Sequence, residues 1–204
     1  TTVTAWLTER GLECAWVSLD EDDDNAGRFI QYLCAAVDRR LSYPVDSTGV
    51  DPRVLLDKLL YALQDCGRDF ILVLDDCHFI NDPQIMDMLL RFIRYKPPCV
   101  RLVMTGRSRV PDRLRPALLK QHIVVIKDEQ LLFSKKEIGS FFRLRQVVLD
   151  NHQIDDLMEK TEGWPCGLVA MSMAATPGSD NEGIPSLTNN EYIHSFLHRE
   201  VWER

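Results

Sequence analysis

Two adjacent carboxylates, Asp75 and Asp76, close an uninterrupted apolar run, Phe70-Ile-Leu-Val-Leu74. A run that is apolar at every position predicts a strand covered on both faces, as in parallel sheets. The two acids then stand at its carboxyl end, the edge where open α/β sheets take ligands. In a phosphoryl-transfer site at such an edge, the first carboxylate would hold magnesium through water and the second would orient an attacking water. The plainer reading is that the pair leaves the sheet for solvent and caps the turn that follows. These residues alone leave both readings open.

Thr105-Gly106-Arg107 follows the next apolar run. Arg107 is therefore expected at the same edge, where a guanidinium could read a terminal phosphate. It could equally be one member of a solvated basic cluster with Arg109, Arg113 and Arg115. Thr161-Glu-Gly-Trp-Pro-Cys-Gly-Leu168 joins a glycine, an indole and a proline at a helix start. That combination suits a turn with a buried Trp, or a rigid wall against a flat ring. Cys77-His78 supplies neither a tetrahedral ligand set nor a triad. The six cysteines, at 14, 34, 66, 77, 99 and 166, include no CxxC pair and no His at zinc-finger spacing. Reduced thiols are expected.

The elements that would position these groups alternate. A helix is expected over Thr1 to Arg10, already under way where the chain opens. A strand follows over Cys14 to Leu19 and runs into the acidic stretch DEDDDN at 20–25. Phe29, Leu33, Ala36 or Val37 and Leu41 recur at helical spacing, and a second helix is expected at 51–65. Asp82-Pro83 supplies a cap and a first-turn proline for a helix bearing Ile85, Leu89, Phe92 and Ile93. Strands are then expected at Val100 to Thr105 and at His122 to Ile126. Ser134 and Glu137 form a capping box ahead of Ile138, and Ile154, Leu157 and Met158 mark a further helix. Residues 176–190 are rich in Pro, Gly, Ser and Asn and read as a hinge, followed by a last amphipathic helix. Strands alternating with helices call for a parallel sheet with right-handed crossovers and, here, a helical annex.

The chain has 204 residues, 45% hydrophobic and 27% charged. These values are close to globular averages and exclude collagen-like and wholly disordered readings. With 24 Lys plus Arg against 31 Asp plus Glu, the net charge is -7. That is the wrong sign for neutralising nucleic-acid phosphates. Phe70 to Leu74 falls far short of the ~20 apolar residues that cross a bilayer, so no membrane is expected, and the opening residues give no secretory leader.

Four segments in this order carry a resemblance: AWVSLDEDDDNAGRFIQYLCAAV at 15–37, FILVLDDCHFINDP at 70–83, RLVMTGRSRVP at 101–111 and TEGWPCGL at 161–168. Together they resemble the nucleotide-binding domain of the MalT-like, large ATP-binding LuxR-type regulators, within the STAND class of P-loop NTPases. The resemblance implies an α/β parallel-sheet P-loop core over 1–130, a helical annex over 131–175, a hinge over 176–190 and a helix over 191–204 leading toward a following domain. It implies that Asp75 is the magnesium carboxylate, Asp76 the acid beside it, Arg107 the sensor of the terminal phosphate, and Gly163-Trp164-Pro165 the turn whose proline lies against adenine. Thr1 would be a magnesium-binding hydroxyl.

The departure from the family pattern is at the opening. A glycine-rich loop ending in GK precedes TT in the family, whereas this chain opens on TTVTAWL and contains no GK. The phosphate-loop strand is therefore expected to be missing, and with it most phosphate affinity. The resemblance also implies ATP and ADP with Mg2+ as ligands, self-association of the parent protein, DNA contact only through a separate domain, and a cytoplasmic site. ATP would favour an assembly-competent state, with hydrolysis, where it occurs, resetting it. Two rivals stand beside this: a nucleotide-free interaction scaffold of the same fold, and a phosphoacceptor receiver domain, which would want a late strand ending in Lys.

Overall fold

The computed structural model describes residues 2–38, 41, 45–46, 49–66 and 68–174, and falls into two compact units, Thr1–Val124 and Val125–Arg204. In the first, helix α1 (Thr2–Glu9) leads to strand β1 (Cys14–Ser18), then to α2 (Ala26–Val37) and α3 (Pro52–Gln64). Strand β2 (Phe70–Asp75), helix α4 (Pro83–Tyr95), strand β3 (Val100–Met104) and the short α5 (Arg115–Leu119) follow. The three strands form one parallel sheet in the order β1-β2-β3, with Val17 opposite Leu74 and Leu74 opposite Met104.

The period-two alternation of a strand explains why β2 is apolar throughout. Phe70, Leu72 and Leu74 join the large core with Phe29 and Leu33 of α2, Leu55 and Leu59 of α3, and Leu89 and Phe92 of α4. Ile71 and Val73 point the other way and pack with Leu7 of α1, flanked by Val3, Trp16 and Val103. Both faces are covered, so no position of β2 can be polar until Asp75. Helices α2, α3 and α4 are each set by a cap. Asn25, Asp51 and Asp82 accept from the backbone N–H groups of Arg28, Arg53 and Gln84, and Pro52 and Pro83 occupy the first turns of α3 and α4.

Two expectations fail here. His122 to Ile126 is not a strand: residues 123–127 are irregular, with Val124 88% and Ile126 67% exposed. A β-branched run reports fit to a pleated surface, and a strand forms only where an edge lies beside it to take its hydrogen bonds. Leu41 also falls outside α2, which ends at Val37, although its side chain still packs against the large core.

The second unit, by itself, contains α6 (Lys135–Leu144), α7 (Asn151–Thr161) and α8 (Pro165–Ala174), only helices among its regular elements from residue 134 to the last described residue. Ile138, Phe142, Leu157, Leu168 and Met171 form its core. The expected box is present: Ser134 N–H donates to Glu137 Oε2 at 2.8 Å, and Glu137 N–H to Ser134 Oγ at 3.4 Å. The hinge at 176–190 and the helix at 191–204 lie outside the described residues, as does Thr1.

Candidate functional site

Burial of β2 on both faces delivers Asp75 to the carboxyl edge of the sheet, between the ends of β1 and β3. Ser18 stands opposite Asp75 on one side, and Leu19 N–H donates to the Asp75 carbonyl at 3.1 Å. On the other side, Thr105 N–H donates to Leu74 O at 2.9 Å, extending the β3 register one residue past the strand. That register sets Thr105 beside Asp75, and its hydroxyl donates to Asp75 Oδ1. The same hydroxyl accepts from Asp76 N–H at 3.3 Å.

Asp76 takes the left-handed conformation, φ 58° and ψ 38°. That region costs a non-glycine residue energy, least so Asn and Asp, and such costs concentrate at functional sites. Here it turns the chain so that Cys77 N–H reaches Thr105 O at 2.8 Å. Asp76 makes no side-chain cap to the short 3₁₀ turn Cys77–Phe79 that it precedes, and Asp75 is half-buried and hydrogen-bonded. Close approach favours a small residue at 106. A Cβ on Gly106 would lie 3.3 Å from His78 N.

His78 Nδ1 lies 3.6 Å from Asp76 Oδ1 and has no hydrogen-bond partner among the described residues. That separation is beyond a hydrogen bond. Burial, with Asp75 nearby, pushes the Cys77 thiol up to about 12, and its Sγ lies 3.3 Å from Leu74 O. A thiol so held is protonated at neutral pH, which removes the nucleophile chemistry that a Cys-His pair would suggest.

The acidic stretch after β1 is mostly structural. Asp20 caps the turn Glu21–Asp23, and Asp23, 2% exposed, lies 3.1 Å from Arg28 Nε. Asp24 Oδ1 accepts two backbone N–H groups from the loop after β2, Asn81 at 2.9 Å and Asp82 at 2.7 Å. Asp24 thereby ties the loops that follow β1 and β2.

Arg107 is exposed, two residues beyond Thr105 in the loop leaving β3. Two members of the basic cluster around it are paired with acids: Arg113 with Asp87 at 2.7 Å and Arg115 with Asp112 at 2.9 Å. So the structure brings Asp75 and Asp76 together with Thr105 at one edge and sets Arg107 on the loop that leaves it.

In the second unit, Gly163 has φ +80°, and a Cβ there would meet Phe133 O at 2.6 Å. Its carbonyl accepts from Phe133 N–H at 2.8 Å, and Trp164 O accepts from Leu168 N–H at 3.1 Å to open α8. Pro165 is the first residue of that helix, where its missing N–H costs nothing. The expectation of a buried Trp is corrected, because Trp164 is 51% exposed. A rigid turn with its indole half in solvent is what the sequence builds there.

The chain matches curated proteins along its whole length. It is 24% identical over 213 residues to the HTH-type transcriptional regulator MalT of Vibrio campbellii, covering 100% of this chain and 23% of that protein. Against the MalT regulators of Cronobacter sakazakii and Klebsiella pneumoniae the identity is 27% over 215 residues and 28% over 184. The chain is similar to MalT regulators. It spans about a quarter of the length of these relatives, at 23% and 24% of the Vibrio campbellii and Cronobacter sakazakii proteins. No family model matches it. Within this MalT-like chain, no helix of the described residues is long and apolar enough to cross a membrane.

Two site features escape a reading of the sequence alone. Thr105 is the partner of Asp75, and its signal is a position one residue past a parallel neighbour strand, where the register continues. Asp24 has no such signal, since it is one of five acids in succession.

Proposed function

We propose that the first unit of this MalT-like chain is the ATP-responsive switch of a signal-controlled LuxR-type transcriptional regulator, built on the P-loop NTPase plan of the STAND class. The observation that supports it is Asp75, held by Thr105 at the carboxyl end of a strand buried on both faces, in a chain similar to transcriptional regulators from end to end. Asp75 is the magnesium carboxylate in this reading, Asp76 the acid that orients water, and Arg107 the sensor of the terminal phosphate.

The residues present fit magnesium. The ion takes hard oxygen donors and keeps several waters. Asp75 spends Oδ1 on Thr105 and retains Oδ2, and Asp76 adds a carboxylate without a capping bond. Among the described residues no group of three or more His, Cys, Asp or Glu gathers to hold a metal. In this reading the ion is shared with phosphate oxygens and with the Thr1 hydroxyl rather than caged by protein. For the second unit, by itself, the reading assigns Gly163-Trp164-Pro165 as a rigid edge for an adenine ring.

When bound, Mg-ATP supplies a charge that favours one conformation over another, and a switch needs only that difference. Self-association and DNA contact, the latter through a separate domain, belong to the whole cytoplasmic regulator. In the full-length protein, Asp75→Ala is expected to weaken magnesium-dependent ATP binding and activation together. Unchanged binding and activation would overturn the assignment.

A second reading, a nucleotide-free interaction scaffold, is favoured by the structural use already made of Asp20, Asp23 and Asp24 at the same edge. It predicts no effect of magnesium on nucleotide affinity, so the same titration separates the two.

A further inference from the structure

Side chains alternate along each strand, and the face of the sheet toward α1 carries Cys14 and Trp16 of β1, Ile71 and Val73 of β2 and Val103 of β3, packed with Leu7. Two residues farther along each strand, the same face carries Ser18, Asp75 and Thr105. The register makes these three one row, because Ser18 stands opposite Asp75, and Leu74 opposite Met104 brings Thr105 alongside Asp75 from the other side. An apolar face thus ends in a polar row at the carboxyl edge.

Asp75 is the middle of that row, and its carboxylate is engaged on one side only. The Thr105 hydroxyl donates to Oδ1, while Oδ2 takes part in no hydrogen bond among the described residues. Ser18 flanks Asp75 on the other side, and the pairing holds past it, since Leu19 N–H donates to Asp75 O at 3.1 Å. Trp16, two residues back on the same face, donates its Nε1–H to Ser18 Oγ at 3.1 Å. The indole fixes the Ser18 oxygen in place and uses one of its two lone pairs. Ser18 is exposed, so the other lone pair is open at the edge.

We propose that Ser18 is a further residue of the magnesium site, its Oγ accepting one proton of a metal-bound water whose other proton goes to Asp75 Oδ2. The inference rests on the reading of Asp75 as the magnesium carboxylate and adds a residue from the neighbouring strand. Magnesium keeps several of its waters, and each of these has two protons to give. A water bridging two acceptors spans about 4.5 Å between them. Neighbouring strands stand about 4.8 Å apart, so paired residues on one face offer that span. Ser18 in this role fixes the rotation of the water, as acceptors around a metal's own ligands do. Thr105 holds the carboxylate from one side, Ser18 holds its water from the other, and Trp16 positions Ser18.

The test is calorimetric titration of the full-length protein with ATP, with and without Mg2+, in Ser18→Ala, Ser18→Thr and Asp75→Asn. Ser18→Ala is expected to remove about three- to tenfold of the magnesium-dependent gain in affinity, the worth of one hydrogen bond. ATP affinity without Mg2+ and the Tm of the nucleotide-free protein should stay unchanged, which a merely structural serine would not allow. Ser18→Thr keeps the hydroxyl and is expected to restore the gain. An undiminished gain in Ser18→Ala beside a diminished one in Asp75→Asn would overturn the proposal and leave the reading of Asp75 standing. Undiminished gains in both variants would overturn the two together. Equal losses with and without Mg2+, or no recovery in Ser18→Thr, would also overturn the role given to Ser18.

Discussion

Thr105 and Asp75 are joined side chain to side chain across the ends of β3 and β2, and the same Thr105 hydroxyl takes the backbone N–H of Asp76. One hydroxyl therefore orients the first carboxylate and fixes the turn that carries the second. Thr105→Val keeps the shape and removes both bonds. It is expected to cost about 1–3 kcal/mol, the usual penalty for leaving part-buried polar groups without a partner. Urea denaturation followed by circular dichroism measures this, and Thr105→Ser should recover most of the loss.

Asp24 is expected to matter more for the loop after β2 than for the fold as a whole. Its Oδ1 is the acceptor for both Asn81 and Asp82 N–H. Asp24→Ala should raise hydrogen exchange at these two amides by tenfold or more, about 1.4 kcal/mol of local protection, while amides in β2 stay protected. Equal loss of protection across β2 would mean that Asp24 supports the whole unit rather than the loop.

Gly163 carries a backbone conformation and a contact that no other residue meets. Its φ is +80°, and Phe133 O would lie 2.6 Å from an added Cβ. Gly163→Ala is expected to destabilise the second unit by about 2 kcal/mol or more, from the left-handed backbone and the clash together. Gly106→Ala is the comparison: its Cβ would sit 3.3 Å from His78 N with no positive φ, and a smaller loss is expected. Guanidinium titration of both variants gives the ranking.

The fold was legible where one physical cause dominates. Burial on both faces makes Phe70 to Leu74 apolar without exception, and Asp82-Pro83 and Ser134 with Glu137 announce their helices through local hydrogen bonds. The rest depends on neighbours that the sequence does not specify. His122 to Ile126 has strand composition but pairs with no strand among the described residues, and Trp164 lies in a turn whose geometry is imposed by Gly163 against Phe133. At the site, Asp75 is readable because a carboxylate ending a buried strand is conspicuous. Thr105 becomes readable only through the register that sets it alongside.

Cys77 sets an alkaline limit. Its thiol is raised from 9.0 to about 12 in the folded chain, chiefly by burial. A group with a raised folded value contributes stability fully present below the unfolded value and lost as pH rises toward the folded one. Stability should therefore fall between about pH 9 and pH 12, and Cys77→Ala should fall less steeply over that window. Denaturation midpoints across these pH values check the slope.

The measurement that bears most directly on the site is a titration of the full-length protein with ATP, with and without Mg2+, comparing the native sequence with Asp75→Asn. Asparagine keeps an oxygen for the Thr105 hydroxyl and loses the charge and the second carboxylate oxygen. Magnesium should tighten ATP binding to the native protein, and Asp75→Asn should remove at least about tenfold of that gain, roughly 1.4 kcal/mol, with Tm little changed. The same magnesium-dependent gain in both proteins would contradict a metal–nucleotide site at Asp75.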